Sequence, residues 1–334
     1  MKISILDQCP VSKGATYKDA YNATIALAKA ADSWGFTRYW LAEHHSMDTL
    51  SCPSPEIFLA HLGAVTENIR IGSGGILLPY YKPYKVAENF HLLETLYPAR
   101  IDLGIGRAPG GSAEVSMALS DNYLQQVNEM PDKIKELQSF LNDRFSPDHP
   151  SSKIKAVPIP NDKPSLWLLG TGKKSAKMAA ENGTAYVYGH FMSNVNGDEI
   201  IKNYREQFTP HNGSKPYVMI AVSVICAETT KQAEELALSQ LFWHILVEKE
   251  GYSSGIPSIK EAQSYPYTEK DINKMKEHRE KMIAGSPSEV KEQLRLLKDT
   301  YHADEVMILT ITHDYSARAK SYELIAKHLL SEKN

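Results

Sequence analysis

The chain has 334 residues, 42% of them hydrophobic, which is enough to bury a large core without disulfides or metal. Lys and Arg number 37 against 40 Asp and Glu, a net charge of −3, and no basic cluster is interleaved with aromatics, so nothing favours a nucleic-acid partner. The apolar run before Asp7 is too short for a signal peptide and no apolar run approaches the roughly 20 residues of a membrane span, which leads us to expect a soluble, cytoplasmic protein.

Short β-rich runs alternate with amphipathic stretches from the first residues onward. Ile3 to Asp7 reads as a strand, followed by a helix from Tyr17 to Trp34 that Gly35 ends. Arg38 to Leu41 and Pro55 to Thr66 form the next strand and helix, and Ile69 to Leu78 and Pro83 to Leu96 the third pair, with Pro at the helix start. Ile101 to Gly106 is a fourth strand, and Leu124 to Leu141 a single helix after it. A polar, Pro-rich connection runs from Arg144 to Lys163. Strands at Ser165 to Leu169 and Ala185 to Gly189 are followed by helices at Lys173 to Asn182 and Asp198 to Phe208. Tyr217 to Ala227 is nearly unbroken apolar sequence, as a parallel strand covered on both faces should be. A helix from Lys231 to Leu246 precedes a polar segment, Glu248 to Gly285. Pro287 to Lys298, Glu305 to Thr310 and Ala317 to Leu329 complete the alternation as helix, eighth strand and helix. Eight strands alternating with about eight main helices predict a single (β/α)8 TIM barrel over residues 1–334, with insertions after strands 4 and 7. Those two connections exceed ordinary loop length and are expected to carry helices of their own or to act as lids.

Barrel enzymes place their chemistry at the C-terminal ends of the strands. There the sequence puts Glu43-His44-His45, the Gly74-Gly75 pair, Arg107, the turn Gly170-Thr171-Gly172 with Ser175, and further along His190 and His313. The glycine turn leads from a strand into a helix, whose free N–H groups and dipole attract an anion. It is only a partial match to the glycine pattern of dinucleotide folds, and a ligand-free strand-to-helix turn explains it too. Arg107 could supply a bidentate partner for a phosphate, or could be held in a structural ion pair. Glycines inside a strand mark a bulge or a close approach by a ligand, here a flat ring system. Glu43, His44 and His45 could bind a metal, but adjacent residues at a strand end diverge and no third ligand set stands at metal spacing. The cysteines (Cys9, Cys52 and Cys226) are far apart and odd in number, as expected of reduced thiols, so no metal is expected. A lone histidine, His44, serves acid–base chemistry better, with His45 expected to hydrogen-bond the loop. The roles of His190 and His313 stay open.

These blocks resemble the bacterial luciferase-like flavin-dependent monooxygenases. The resemblance is carried by Tyr39-Trp40-Leu41-Ala42-Glu43-His44-His45, by Ile71-Gly72-Ser73-Gly74-Gly75-Ile76-Leu77-Leu78-Pro79, by Arg100 through Gly110, and by Leu169-Gly170-Thr171 with Ser175-Ala176. It runs from the first strand to the last helix, is strongest between residues 36 and 112, and is nearer to a subgroup with a Gly-rich third strand than to the light-emitting enzymes. The resemblance implies reduced FMN as cofactor, delivered by a separate flavin reductase, and a small organic molecule oxidised with O2. It implies that Arg107, Thr171, Gly172 and Ser175 hold the phosphate, with Gly170 also in the cofactor site, and that Gly74 and Gly75, joined by a cis peptide in many members, lie against the isoalloxazine ring. Glu43 belongs to the flavin pocket and His44 is the catalytic acid or base. A homodimer built on the second and third helices is a further implication. Light-emitting members carry a reactive cysteine where this chain has Gly106. A deazaflavin-dependent hydride-transfer enzyme on the same barrel, a flavin-binding protein without turnover and a metal-dependent hydrolase are the alternatives.

Overall fold

The structure, a computed structural model, describes residues 1–211, 213–251 and 254–330. Among these the chain runs β1 (Ile3–Asp7), α1 (Tyr17–Ser33), β2 (Arg38–Leu41), α2 (Pro55–Val65), β3 (Arg70–Leu77), α3 (Pro83–Leu96), β4 (Ile101–Gly106), α4 (Ala113–Leu119), α5 (Tyr123–Asn128) and α6 (Met130–Asn142). It continues through β5 (Ser165–Gly170), α7 (Lys173–Glu181), β6 (Ala185–Gly189), α8 (Gly197–Glu206), β7 (Val218–Cys226), α9 (Thr230–Glu250), α10 (Ile259–Ser264), α11 (Glu269–Glu280), β8 (Met282–Gly285), α12 (Pro287–Thr300), β9 (Glu305–Leu309) and α13 (Tyr315–Leu329). Each of β1 to β7 pairs in parallel with the next, β7 pairs with β9, and β9 returns to β1, so eight strands close the expected (β/α)8 barrel. No helix among the described residues is long and apolar enough to cross a membrane.

Three elements differ from the sequence reading. The helix expected from Leu124 to Leu141 is broken at Glu129 into α5 and α6, because Pro131 in the first turn of α6 has no N–H to continue the ladder. The short α4 was not expected; Ser112 caps it by accepting from the Val115 N–H. The insertion after β7 carries α10, α11 and also the strand β8, which pairs with Ser223–Cys226 of β7 outside the closed ring. The other long connection, 144–164, holds only a single 3₁₀ turn, Pro150–Lys153.

Alternation along the strands sorts side chains into two cores. Ile3 and Ile5 of β1 face outward with Tyr39, Leu41 and Ile71 into the helical layer. Leu6, Trp40, Trp167, Val187, Met219 and Met307 face inward and fill the barrel. Toward the N-terminal ends of the strands the interior is ionic. Arg38 Nη1 donates to Asp102 Oδ2 at 2.7 Å and Nε to Glu305 Oε1 at 3.0 Å, Trp40 Nε1 donates to Asp102 at 3.0 Å, and the guanidinium lies 4.6 Å from the Trp167 ring. Each of these charges is partnered, which is what makes their burial tolerable. A second buried pair ties barrel to helices: Arg318 on α13 donates to Asp7 Oδ1 at 2.6 Å, and Thr24 on α1 to Asp7 Oδ2 at 2.8 Å. Burial opposes ionisation of Asp7, but Arg318, Tyr39 and the Cys9 N–H outweigh it and hold the carboxyl below its usual range. These charged pairs and the aromatic rings above them fill the floor of the barrel.

Candidate functional site

At the C-terminal ends of β1 to β6 a cavity of about 380 Å³ opens, within the range of small-ligand sites. Its wall includes Glu43, His44, Gly74, Gly75, Arg107, Gly170, Thr171 and Ser175, so residues dispersed over more than 130 positions of sequence meet in one place. Gly172 is the N-cap of α7, immediately beside them.

The loop after β2 is braced by Glu43. Its carboxylate accepts from the Leu77 N–H at 2.9 Å, from the Tyr81 hydroxyl at 2.7 Å and from His45 Nε2 at 2.8 Å. Leu77 ends β3 and Tyr81 follows it, so Glu43 ties the end of β2 to the end of β3; burial and this carboxylate push the Tyr81 phenol up. His45 completes the brace, and its N–H donates to the Gly110 carbonyl at 2.8 Å, the loop role expected of it. His44 points elsewhere. Its Nδ1 is buried with no partner, and its N–H is held by the Cys52 carbonyl at 2.9 Å. Burial lowers its pKa to about 4, with the neighbouring His45 adding to the effect and the Ala42 carbonyl partly opposing it. At neutral pH the ring is therefore uncharged, with one nitrogen able to accept and the other to donate. The two histidines face different partners, and no group of three or more His, Cys, Asp or Glu at metal-binding spacing occurs among the described residues.

Gly74 and Gly75 are joined by a cis peptide, at the point where the register between β3 and β4 shifts from Ser73 to Ile76. A β-carbon on Gly74 would lie 2.5 Å from Leu6 Cδ1, and one on Gly75 2.7 Å from the Gly104 carbonyl oxygen. The bulge and the cavity wall are thus one feature; the neighbouring backbone leaves no room for a side chain at Gly75, whereas one at Gly74 would displace the end of Leu6. At β5 a β-carbon on Gly170 would collide with Ser175 Oγ. That hydroxyl, only 2% exposed as a residue, donates to the Gly172 carbonyl at 2.8 Å and lies 3.2 Å from the Tyr186 hydroxyl. Ser175 therefore shapes the turn from within, while the N–H groups that open α7 lack intrahelical partners. Arg107 lines the same cavity, and its guanidinium has no ion pair or side-chain hydrogen bond among the described residues. An unpaired cation beside a helix N-terminus and a glycine turn can hold a phosphate dianion.

The remaining predicted positions lie off the cavity. His190 turns its ring toward Tyr301, at 5.9 Å, and burial and Lys281 lower its pKa; its chain neighbours Phe191 and Met192 supply wall instead. His313 sits 3.2 Å from the Lys13 carbonyl and knits the loop after β9 to the loop after β1. Neither expected lid contributes wall among the described residues; the second insertion meets the loop after β1 through a bridge between Ile256 and Ser12. Sequence reasoning missed Gln8, Phe191 and Met192. For Gln8 the signal was present, since β1 sends Ser4 and Leu6 inward and the next residue in that alternation is Gln8. The three cysteines are free and buried.

The luciferase-like monooxygenase family model matches residues 1–303. The chain belongs to that family. The uncharacterized protein YceB of Bacillus subtilis (strain 168) is 45% identical over 98% of this chain and 99% of its own length. The N-acetyl-S-alkylcysteine monooxygenase of the same organism is 34% identical over 100% of this chain and 99% of its own. The crystal structure of apo-MsnO8 superposes with a TM-score of 0.89 at 32% identity, covering 98% of both chains. The fold alone is shared with the oxygenating constituent of 3,6-diketocamphane monooxygenase from Pseudomonas putida in complex with FMN (TM-score 0.74, 19% identity, 99% of this chain and 98% of that one). It is likewise shared with an F420-dependent secondary alcohol dehydrogenase (TM-score 0.69, 15% identity, 97% and 98%).

Proposed function

We propose that this chain is an FMN-dependent monooxygenase acting on a small organic molecule. The observation that carries the reading is the unpaired Arg107 guanidinium lining the same cavity as the Gly170-Thr171-Gly172 turn and the bare Gly74-Gly75 wall. Arg107, Thr171 and the opening N–H groups of α7 would hold the phosphate, with Ser175 keeping the turn in shape. Gly74 and Gly75 leave a side-chain-free surface for the tricyclic head. Reduced FMN, when bound, supplies two electrons for the activation of O2, one atom going to the substrate and the other leaving as water. The chain's own part is to bind, orient and exclude water. His44 lines the same cavity and is uncharged at neutral pH, so its imidazole is the group placed to take up a proton there and return it.

The experiment is a titration of the protein with FMN in both redox forms, with F420 in parallel. Preferential binding of FMN, and oxygen consumption with the reduced form supplied by a flavin reductase, are expected. Preference for F420 with no oxygen consumption would replace this reading by hydride transfer. We further infer that residues 1–334 act as one cytoplasmic domain and associate as a homodimer; the exposed Ile57 on α2 and Leu92 and Leu96 on α3 support that face. Sedimentation of wild type against Ile57→Asp tests it, a monomer being expected for the variant alone.

A further inference from the structure

The cavity has two polar poles separated by the Gly74-Gly75 wall of β3. One is Arg107 and the β5 turn. The other lies on β1 and β2. Gln8 follows Leu6 on the inward face of β1, and Leu6 reaches the wall at Gly74. Leu6 is paired in register with Trp40, which places Gln8 beside Ala42, two residues before His44. Like the His44 Nδ1, the Gln8 carboxamide has no hydrogen-bond partner among the described residues. Apolar side chains flank this pole: Leu6 on β1, Ala42 after β2, and Met307 and Ala221 on β9 and β7, the strands next round the barrel from β1. Two charged side chains line the cavity. Glu43 is engaged by three donors, and Arg107 belongs to the phosphate pole. Among the described residues no further cation lines the cavity beside Gln8 and His44 for an anionic substrate.

We propose that Gln8 is a specificity-determining residue, and that the substrate is an uncharged, mostly apolar molecule whose single hydrogen-bonding group is held by the Gln8 carboxamide. This rests on the FMN reading for the assignment of Arg107. A carboxamide offers a donor and an acceptor without charge, so it recognises an ester or amide carbonyl. A carboxylate placed there would lose its hydration without gaining a counter-ion, and is rejected.

The test uses a matched pair of probes, 3-phenylpropanoic acid and its methyl ester, which differ in the ionised carboxylate and one methyl group. Each is titrated by calorimetry against the flavin-free protein and against the protein loaded with oxidised FMN. The FMN-loaded wild type is expected to bind the ester at least about tenfold more tightly than the acid. Gln8→Leu should weaken the ester about fivefold to tenfold, the worth of one neutral hydrogen bond, with FMN affinity held within about twofold. Gln8→Asn, with the same group on a shorter stem, should recover part of the loss. Equal or tighter binding of the acid, no binding of either probe, or an unchanged ester affinity in Gln8→Leu each overturn the proposal. Failure of the underlying reading is separate, because FMN then does not bind the wild type. If the acid in that case binds the flavin-free protein and Arg107→Ala abolishes that binding, Arg107 serves the substrate and not a flavin.

Discussion

Replacing His44 by leucine changes how stability depends on pH. In the folded chain burial pulls the imidazole from its ordinary 6.5 to about 4. Between those values the unfolded chain takes up a proton that the folded chain refuses, so stability is greatest above the unfolded value and falls as the pH drops toward the folded one. At 1.36 kcal/mol per tenfold change in proton affinity, the gap corresponds to about 3 kcal/mol of stability lost on acidification. His44→Leu has no such proton to bind. Its stability relative to wild type is therefore expected to rise by about 3 kcal/mol between about pH 7 and pH 4. His244, whose pKa burial lowers to about 3, contributes equally to both proteins and cancels in the difference. Urea unfolding at a series of pH values provides the measurement. Parallel pH profiles, agreeing within about 1 kcal/mol after extrapolation, would refute the claim that His44 is held neutral by burial.

Reversing the charge at Arg107 (Arg107→Glu) should weaken FMN binding by at least about 100-fold in a calorimetric titration while leaving the unfolding midpoint within a few degrees, since the guanidinium supports no internal ion pair. Glu43→Gln should cost about 2–3 kcal/mol in urea unfolding, because a neutral amide cannot accept from Leu77, Tyr81 and His45 as the carboxylate does. Gly170→Ala drives a methyl into Ser175 Oγ; a loss of about 1–3 kcal/mol in stability together with weaker FMN binding is expected, and unchanged values of both would show that the turn adjusts freely.

Local pattern made much of the barrel legible. Period-2 and period-3.6 apolar spacing, with glycine and proline at the ends of the runs, marked all eight barrel strands, and the rule that barrel chemistry sits at strand C-termini pointed to Glu43, His44, Arg107 and Gly170 before any fold existed. The elements that escaped were those whose local signal is weak. α4 is seven residues long in a glycine- and serine-rich loop, and β8 is four residues behind a strongly polar helix, ordered by pairing with the end of β7. The break between α5 and α6 was signalled by Pro131, and only the reading of one continuous helix concealed it.

Contacts within the cavity wall come from tertiary structure. Sequence shows that two histidines and a glutamate follow β2; it does not show that Glu43 is spent on Leu77, Tyr81 and His45, leaving His44 alone with an unpartnered nitrogen. It shows that Arg107 follows β4 but not whether a carboxylate lies in reach, because that depends on which strands become neighbours when the sheet closes. By itself the sequence determined the alternation, the glycines and the chemical types at the rim, since these follow from spacing along the chain. Partnership, burial and the loss of a histidine's charge depend on groups far apart in the chain being packed against one another, and only closure of the barrel decides them.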